Sequence, residues 1–262
     1  MYAFDFVKPS SLDEALAALQ EEDAQALGGG QTLIPTLKQR LAMPGKLVSL
    51  RGIAELKGIK VEGGAVVIGG GTNHATIARE LTETYPALAY LASRIGDPSV
   101  RTLGTIGGSV ANNDPAACYP AAVLASGATV VTNAREIPAD DYFQGMFTTA
   151  LEEGEIITEI RFPIPQAANY QKFAQPASRF PLTGVFLAKY AGGVRVAVTG
   201  ASEEGVFRWK EAEAALSHDF SPSAIDGLTV EAEGMMGDIH GTPEYRANLV
   251  KVLTGRAVAA AG

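Results

Sequence analysis

The 262 residues carry 29 acidic against 21 basic side chains, a formal net charge of −8, which argues against nucleic acid or anionic membrane as partners. Apolar residues make up 47% and charged ones 19%, a globular balance, and the length suits one large domain or two to three smaller ones with a full core. A single cysteine, Cys118, excludes an internal disulfide, a Cys-rich zinc site and an iron–sulfur cluster built by this chain.

The opening MYAFDFVKPSS has no basic region followed by an apolar core, so no signal peptide is expected. No apolar run approaches the ~20 residues of a membrane span, and a cytoplasmic protein is the expectation. Tyr2–Val7 reads as a short strand stopped by Pro9. Ser11-Leu12-Asp13-Glu14 is a capping box, with Leu12, Ala15, Leu16 and Leu19 at helical spacing behind it. Ala24–Leu27 is a brief strand running into Gly28-Gly29-Gly30-Gln31-Thr32, a helix is expected over Thr32–Arg40 with Pro35 in its first turn, and Leu47–Leu50 is a strand. Residues 1–55 thus predict a β-α-β-α-β unit.

Ala65–Ile68 is the next strand, and Thr72 or Asn73 is placed to cap a helix over Thr76–Leu81. Helices are expected over Pro86–Ile95, Tyr119–Ala125 and Asp141–Ala150, with a strand at Ala128–Thr132. Gly154–Phe162 predicts a strand with Ile156, Ile160 and Phe162 on one face and Ile157 opposite. Prolines 163 and 165 mark a boundary, dividing 1–55, 56–163 and 164–262. Beyond it, Val185–Ala191 and Val194–Gly200 flank Gly192-Gly193 as a hairpin, and helices are expected over Trp209–Leu216 and Pro243–Ala260. Strands followed by helices indicate an α+β layer.

The segment Leu103–Ala117, LGTIGGSVANNDPAA, holds glycines, hydroxyls and two asparagines without a lysine or arginine. Gly107-Gly108 is read as a turn that takes backbone angles closed to other residues and lets the main chain approach a ligand. Successive N–H groups in such a turn form a concave anion nest. Gly28–Thr32 has the same character, and two nests suit the two sides of one diphosphate. The G-x-G-x-x-G dinucleotide fingerprint is absent, as is the phosphate loop ending in G-K-[ST], since the one Gly-Lys pair is Gly45-Lys46 before Leu47. The residues alone leave two readings open: a diphosphate clamp, or two tight strand–helix turns.

Three patterns, LGGGQTLIP, TIGGSVANNDPAA and KFAQPASRFPLTGV, together with PEYRANLVKVLTGRA, resemble the flavin-carrying medium subunit of the molybdenum hydroxylases. That family includes the medium chain of aerobic carbon monoxide dehydrogenase and the flavin domain of xanthine dehydrogenase. The likeness runs from Phe6 to about Arg256. It implies a two-part FAD-binding fold of the vanillyl-alcohol oxidase type plus a C-terminal α+β domain. By motif, Gly28, Gly29, Gly30, Gln31 and Thr32 match the first diphosphate loop, and Thr105, Ile106, Gly107, Gly108 and Ser109 the second. Asn112 stands where the family often places a polar contact to the nucleotide, and Ile157 where a main-chain contact to adenine or ribose is expected. The family often has an acidic residue where this chain has Cys118, and a cofactor-facing carboxylate is absent there.

The resemblance further implies an oxidoreductase component that passes electrons through FAD to an outside acceptor. Its molybdenum cofactor and iron–sulfur clusters would lie on a large and a small partner subunit, with a dimer of heterotrimers among the expected assemblies. A stand-alone flavin oxidase, or a cofactor-poor assembly module, are the alternatives. No catalytic nucleophile or metal ligand is expected in this chain. Tyr170, Lys172 and Arg179 are candidates to approach the flavin ring. His74 is read as a helix-start residue that helps close the site, Asp97 and Arg101 as a local ion pair, Glu152, Glu153 and Glu155 as a solvated turn, and Cys118 as a buried packing residue.

Overall fold

A computed structural model describes residues 1–261. Its first part is a parallel sheet of β1 (Asp5–Val7), β2 (Ala24–Leu27) and β3 (Lys46–Ser49) in the order β1-β3-β2, with α1 (Leu12–Leu19) and α2 (Leu33–Lys38) as its crossovers. Ser11 caps α1 by accepting the Glu14 N–H at 3.2 Å, while the Glu14 carboxylate reaches back to the Ser10 N–H at 2.8 Å. Ala15 and Leu19 then pack with Val48 and Ile53.

The second part holds β4 (Ile59–Glu62) and β5 (Ala65–Gly69), and then five helices: α3 (His74–Glu80), α4 (Pro86–Ser93), α5 (Pro98–Leu103), α6 (Ile106–Asn112) and α7 (Tyr119–Ala125). It continues with β6 (Thr129–Thr132), β7 (Glu136–Pro138), α8 (Ala139–Tyr142), a small hairpin of β8 (Phe143–Gly145) and β9 (Thr148–Thr149), and β10 (Ile157–Pro163). The antiparallel sheet runs β4-β5-β10-β6-β7, with Phe162 opposite Val66 and Ile160 opposite Ile68. The third part is an antiparallel meander of β11 (Ala167–Ala174), β12 (Pro181–Tyr190), β13 (Gly193–Ser202) and β14 (Gly205–Arg208), with α9 (Lys210–His218) and α10 (Pro243–Ala261).

Side-chain alternation along β12 shows how the third sheet is held. Val185 and Leu187 face the core shared with α9 and α10, whereas Phe186 and Ala188 join Tyr170 in the large core formed by α4, α7 and the second sheet. The sheets change near Pro163, but the hydrophobic core runs across that point. None of the helices is long and apolar enough to cross a membrane among the described residues.

Four expectations need correction. The helix expected over Asp141–Ala150 is confined to Ala139–Tyr142, after which the chain turns through the β8–β9 hairpin with Gly145 at φ 138° and Phe147 at φ 56°. Asn113 fixes that turn, donating to the Gly145 and Thr148 carbonyls at 2.8 and 2.9 Å, a long-range tether that local sequence does not reveal. A bulge between Ile157 and Glu159 puts Ile157 in the same core as Ile160 and Phe162, while Ile156 joins the core of the first part. The region read as a glycine turn at 104–113 is largely helix. Strand β4, which pairs with β5 through Gly63-Gly64, and strand β11 were not expected.

Candidate functional site

The three parts meet around a cleft of about 790 Å³. Gly28, Gly29, Gly30, Gln31 and Thr32 line it, as do Thr105, Gly107, Gly108, Ser109, Asn112 and Ile157. Ile106 does not line it: its side chain is wholly buried in the large core. The two glycine segments therefore converge, although Thr105 lies 73 positions beyond Thr32 in the chain and many elements lie between them.

They converge with different chemistry. Gly28–Thr32 leaves the end of β2 and enters α2, with Gly30 at φ 72°, the left-handed region that glycine tolerates. The six consecutive N–H groups from Gly28 to Leu33 have no hydrogen-bond partner among the described residues. Such a run lining a cleft offers its donors to an outside acceptor, and a ligand that covered them without accepting would leave them unpaired at a cost.

The second segment is the first turn of α6. Thr105 is its N-cap, its Oγ1 accepting the Gly108 N–H at 3.2 Å. The Ile106 N–H donates to the Thr72 carbonyl at 3.0 Å and the Gly107 N–H to the Gly70 carbonyl at 2.9 Å. Gly107 and Gly108 take ordinary helical angles, so neither needs glycine for its φ. Gly107 is glycine for another reason: a Cβ there would stand 2.6 Å from the Gly70 carbonyl oxygen. Likewise a Cβ on Gly29 would stand 2.1 Å from the Leu103 oxygen. Both serve the contact of loop with loop. Gly108 is different, exposed to the cleft, and a Cβ on it would meet only the Thr105 Oγ1, at 3.0 Å.

A third glycine segment, Gly69-Gly70-Gly71, completes the arrangement. Gly70 donates its N–H to the Thr158 carbonyl at 2.8 Å, and a Cβ on it would lie 2.1 Å from the Ile157 oxygen. The sequence signal for this third segment is its likeness to the other two glycine runs. His74, at the start of α3, is 4% exposed and lines the cleft. Burial, with a smaller effect from the Arg101 charge, pulls its pKa down to about 4, so it is neutral near pH 7, and its Nδ1 has no partner among the described residues. Asn73, rather than Thr72, caps α3.

The remaining candidates divide. Lys172 and Arg179 line the cleft, whereas Tyr170 is buried behind its wall. Cys118 is buried in the large core and also borders the cleft, its Sγ 3.4 Å from the Lys172 Nζ. Asp97 and Arg101 make no ion pair: Asp97 caps α5 at the Val100 N–H, and Arg101 donates to the Ile95 and Gly96 carbonyls. Glu155 is no solvated turn residue, since its carboxylate binds Arg135 at 3.0 Å and accepts from Thr132 and the Glu152 N–H. The Arg135 hydrogen bond is the chief cause holding the Glu155 pKa below the usual range.

The charges around the cleft run against those of the whole chain. Arg51, Lys57, Lys172 and Arg179 line it against two carboxylates, Asp114 and Glu155, and none of the four cations is in an ion pair among the described residues. Unpaired donors, a glycine surface open to close approach and a local excess of positive charge fit a dinucleotide diphosphate. Among the described residues no group of three or more His, Cys, Asp or Glu is placed to hold a metal.

Comparison with known proteins agrees with this chemistry. Residues 2–165 match a family described as the FAD binding domain in molybdopterin dehydrogenase. The carbon monoxide dehydrogenase medium chain of Afipia carboxidovorans is 34% identical, over 98% of this chain and 96% of that one. The nicotine 6-hydroxylase medium subunit of Paenarthrobacter nicotinovorans is 32% identical, over 99% and 98%. Among solved structures, a chain of reconstituted CO dehydrogenase from Oligotropha carboxidovorans superposes with a TM-score of 0.90 at 34% identity, covering 99% of this chain and 98% of that one. A chain of quinoline 2-oxidoreductase from Pseudomonas putida 86 does so with a TM-score of 0.88 at 28% identity, covering 99% and 97%.

Proposed function

Because the chain belongs to the FAD-binding medium subunits of the molybdenum hydroxylases, we propose that it is the electron-transfer subunit of a heteromeric complex of that kind. It takes electrons from iron–sulfur clusters on a small subunit and delivers them through FAD to an outside acceptor. Substrate oxidation takes place on a large molybdenum subunit. The family assignment makes it an oxidoreductase component with FAD as its cofactor. The partners, the path, a cytoplasmic location and the division into units 1–55, 56–163 and 164–262 belong to the proposal.

The observation that carries the site assignment is the run of six partnerless N–H groups from Gly28 to Leu33. They would hold the diphosphate, with the Thr105 hydroxyl, the open face of Gly108 and the Ser109 hydroxyl on the opposite wall. Asn112 and the main chain at Ile157 supply the remaining polar contacts along the cleft. Lys172 and Arg179 place positive charge on the wall contributed by the third sheet, and the neutral His74 adds none. Bound FAD supplies the means to accept electrons singly and release them as a pair. The chain's part is to exclude water, fix the cofactor's orientation and set the charge around it. A single cysteine in the whole chain fits clusters carried on another subunit.

Co-expression with a candidate large subunit and a small Cys-rich subunit tests this. The expected result is a stable complex whose flavin absorbance bleaches when the large subunit's substrate is added. A flavin-containing chain that enters no complex, yet is itself reduced by an organic substrate, would point instead to a stand-alone oxidase.

A further inference from the structure

Where the wall of the cleft is formed jointly by the second and third parts, a thiol and an amine are in contact. Cys118, just before α7, has its Sγ 3.4 Å from the Nζ of Lys172 on β11, and both border the cleft. Lys172 is held in place from its other side, donating to the Arg94 carbonyl at 2.9 Å. It has no carboxylate partner among the described residues. A second polar group lies beside the same thiol. Tyr170 is wholly buried, and its hydroxyl has no hydrogen-bond partner among the described residues. Its pKa is raised well above the usual value, mainly by burial and further by the adjacent Cys118 thiol. A buried hydroxyl without an acceptor is costly, and an oxygen added to the neighbouring sulfur would supply one.

We propose that Cys118 and Lys172 form an oxidisable pair in the cleft wall, at which hydrogen peroxide converts the Cys118 thiol to a sulfenic acid held by the Lys172 ammonium and the Tyr170 hydroxyl. The sulfur attacks one peroxide oxygen, an S–O bond forms and the O–O bond breaks. The second oxygen leaves as hydroxide and takes the thiol proton, so thiol and peroxide give sulfenic acid and water. Sulfur loses two electrons and peroxide gains them. The Lys172 ammonium stabilises the negative charge that passes to the departing oxygen. The chain has no second cysteine to trap the product as an internal disulfide, so the sulfenic acid persists until an external thiol removes it. Its oxygen sits beside an otherwise uncompensated lysine, altering the charge on one wall of the cleft. Only the effect on cofactor retention rests on the FAD reading; the sulfur chemistry does not.

The test treats the full chain with hydrogen peroxide, traps sulfenic acid with dimedone and reads the intact mass. Wild type should take one adduct and Cys118→Ala none. Lys172→Met should label several-fold more slowly than wild type, although the two label equally when unfolded in denaturant. Tyr170→Phe, which keeps the ring packing, should form the adduct but lose trapped sulfenic acid faster to added glutathione. A wild-type chain that takes no label, or a folded Lys172→Met that labels at the wild-type rate, would overturn the proposal. Adding FAD separates the two readings. Slower labelling supports a cofactor cleft beside the pair, whereas unchanged labelling counts against the cofactor assignment and leaves the pair standing.

Discussion

The first and second glycine segments look alike in sequence and do different work in the structure. Gly28–Leu33 keeps six N–H groups unpaired, whereas the N–H groups of Ile106, Gly107 and Gly108 already have the Thr72 carbonyl, the Gly70 carbonyl and the Thr105 hydroxyl as partners. One segment is open to a ligand through its donors. The other is packed, and offers a smooth surface, a helix start and hydroxyl groups. A glycine in such a loop can serve the ligand, the backbone angle or the neighbouring chain, and only the contact each Cβ would make tells them apart.

Gly107→Val should have the largest effect. The new side chain would displace the Gly70 carbonyl from 2.6 Å, and overpacking of this kind costs about 1–3 kcal/mol or more. Thermal unfolding should move down by several degrees and flavin should be absent from the purified chain. Full flavin occupancy with an unchanged melting temperature would show that the second segment is not packed as described.

A comparable effect should come from pH, again on the packed side. The buried His74 imidazole lies against Gly104, whose carbonyl accepts the His74 main-chain N–H, and its folded pKa of about 4 lies below the ordinary value near 6.5. The unfolded chain therefore binds the proton first as pH falls. Stability present above about pH 6.5 is lost progressively down to about pH 4, by up to about 3 kcal/mol. Denaturant unfolding across that range should show the slope, and His74→Gln should flatten it. An equal slope in the variant would assign the acid sensitivity elsewhere.

Gly108→Ala sharpens the comparison, because it separates binding from folding. Alanine gains helix propensity of about 1 kcal/mol, offset by the contact 3.0 Å from the Thr105 Oγ1, so stability should change little. FAD affinity should nevertheless fall at least ~tenfold, equivalent to about 1.4 kcal/mol, because the methyl group fills the cradle. Thr105→Ala should be the smallest, losing about 1 kcal/mol of capping with a matching small drop in thermal stability. A Thr105→Ala loss far beyond that would mean that Thr105 orders the cleft as a whole.

The sequence was most informative where pattern is local. The capping box at Ser11, the β-α-β-α-β order of the first part and the β12–β13 hairpin about Gly192-Gly193 are all found where spacing and turn residues predict them. The convergence of the glycine segments on one cleft followed from their resemblance to a known motif pair. What was not legible depended on distant contacts. The β8–β9 hairpin is held by Asn113, some thirty residues upstream, and the bulge that turns Ile157 toward the large core arises from pairing with β6. Glu155 looked like part of a solvated acidic run because its partner, Arg135, lies 20 residues earlier. The packing role of Gly107 was hidden for the same reason, since its neighbour is Gly70 in another loop.

The central claim is that the first segment grips a diphosphate through its free N–H groups. It is tested most directly by titrating the purified full chain with FAD and, separately, with riboflavin, which carries the same ring without phosphate, while following flavin fluorescence. The expected result is uptake of one FAD per chain and riboflavin binding weaker by orders of magnitude. Equal affinity for the two flavins, or uptake of neither, would contradict it.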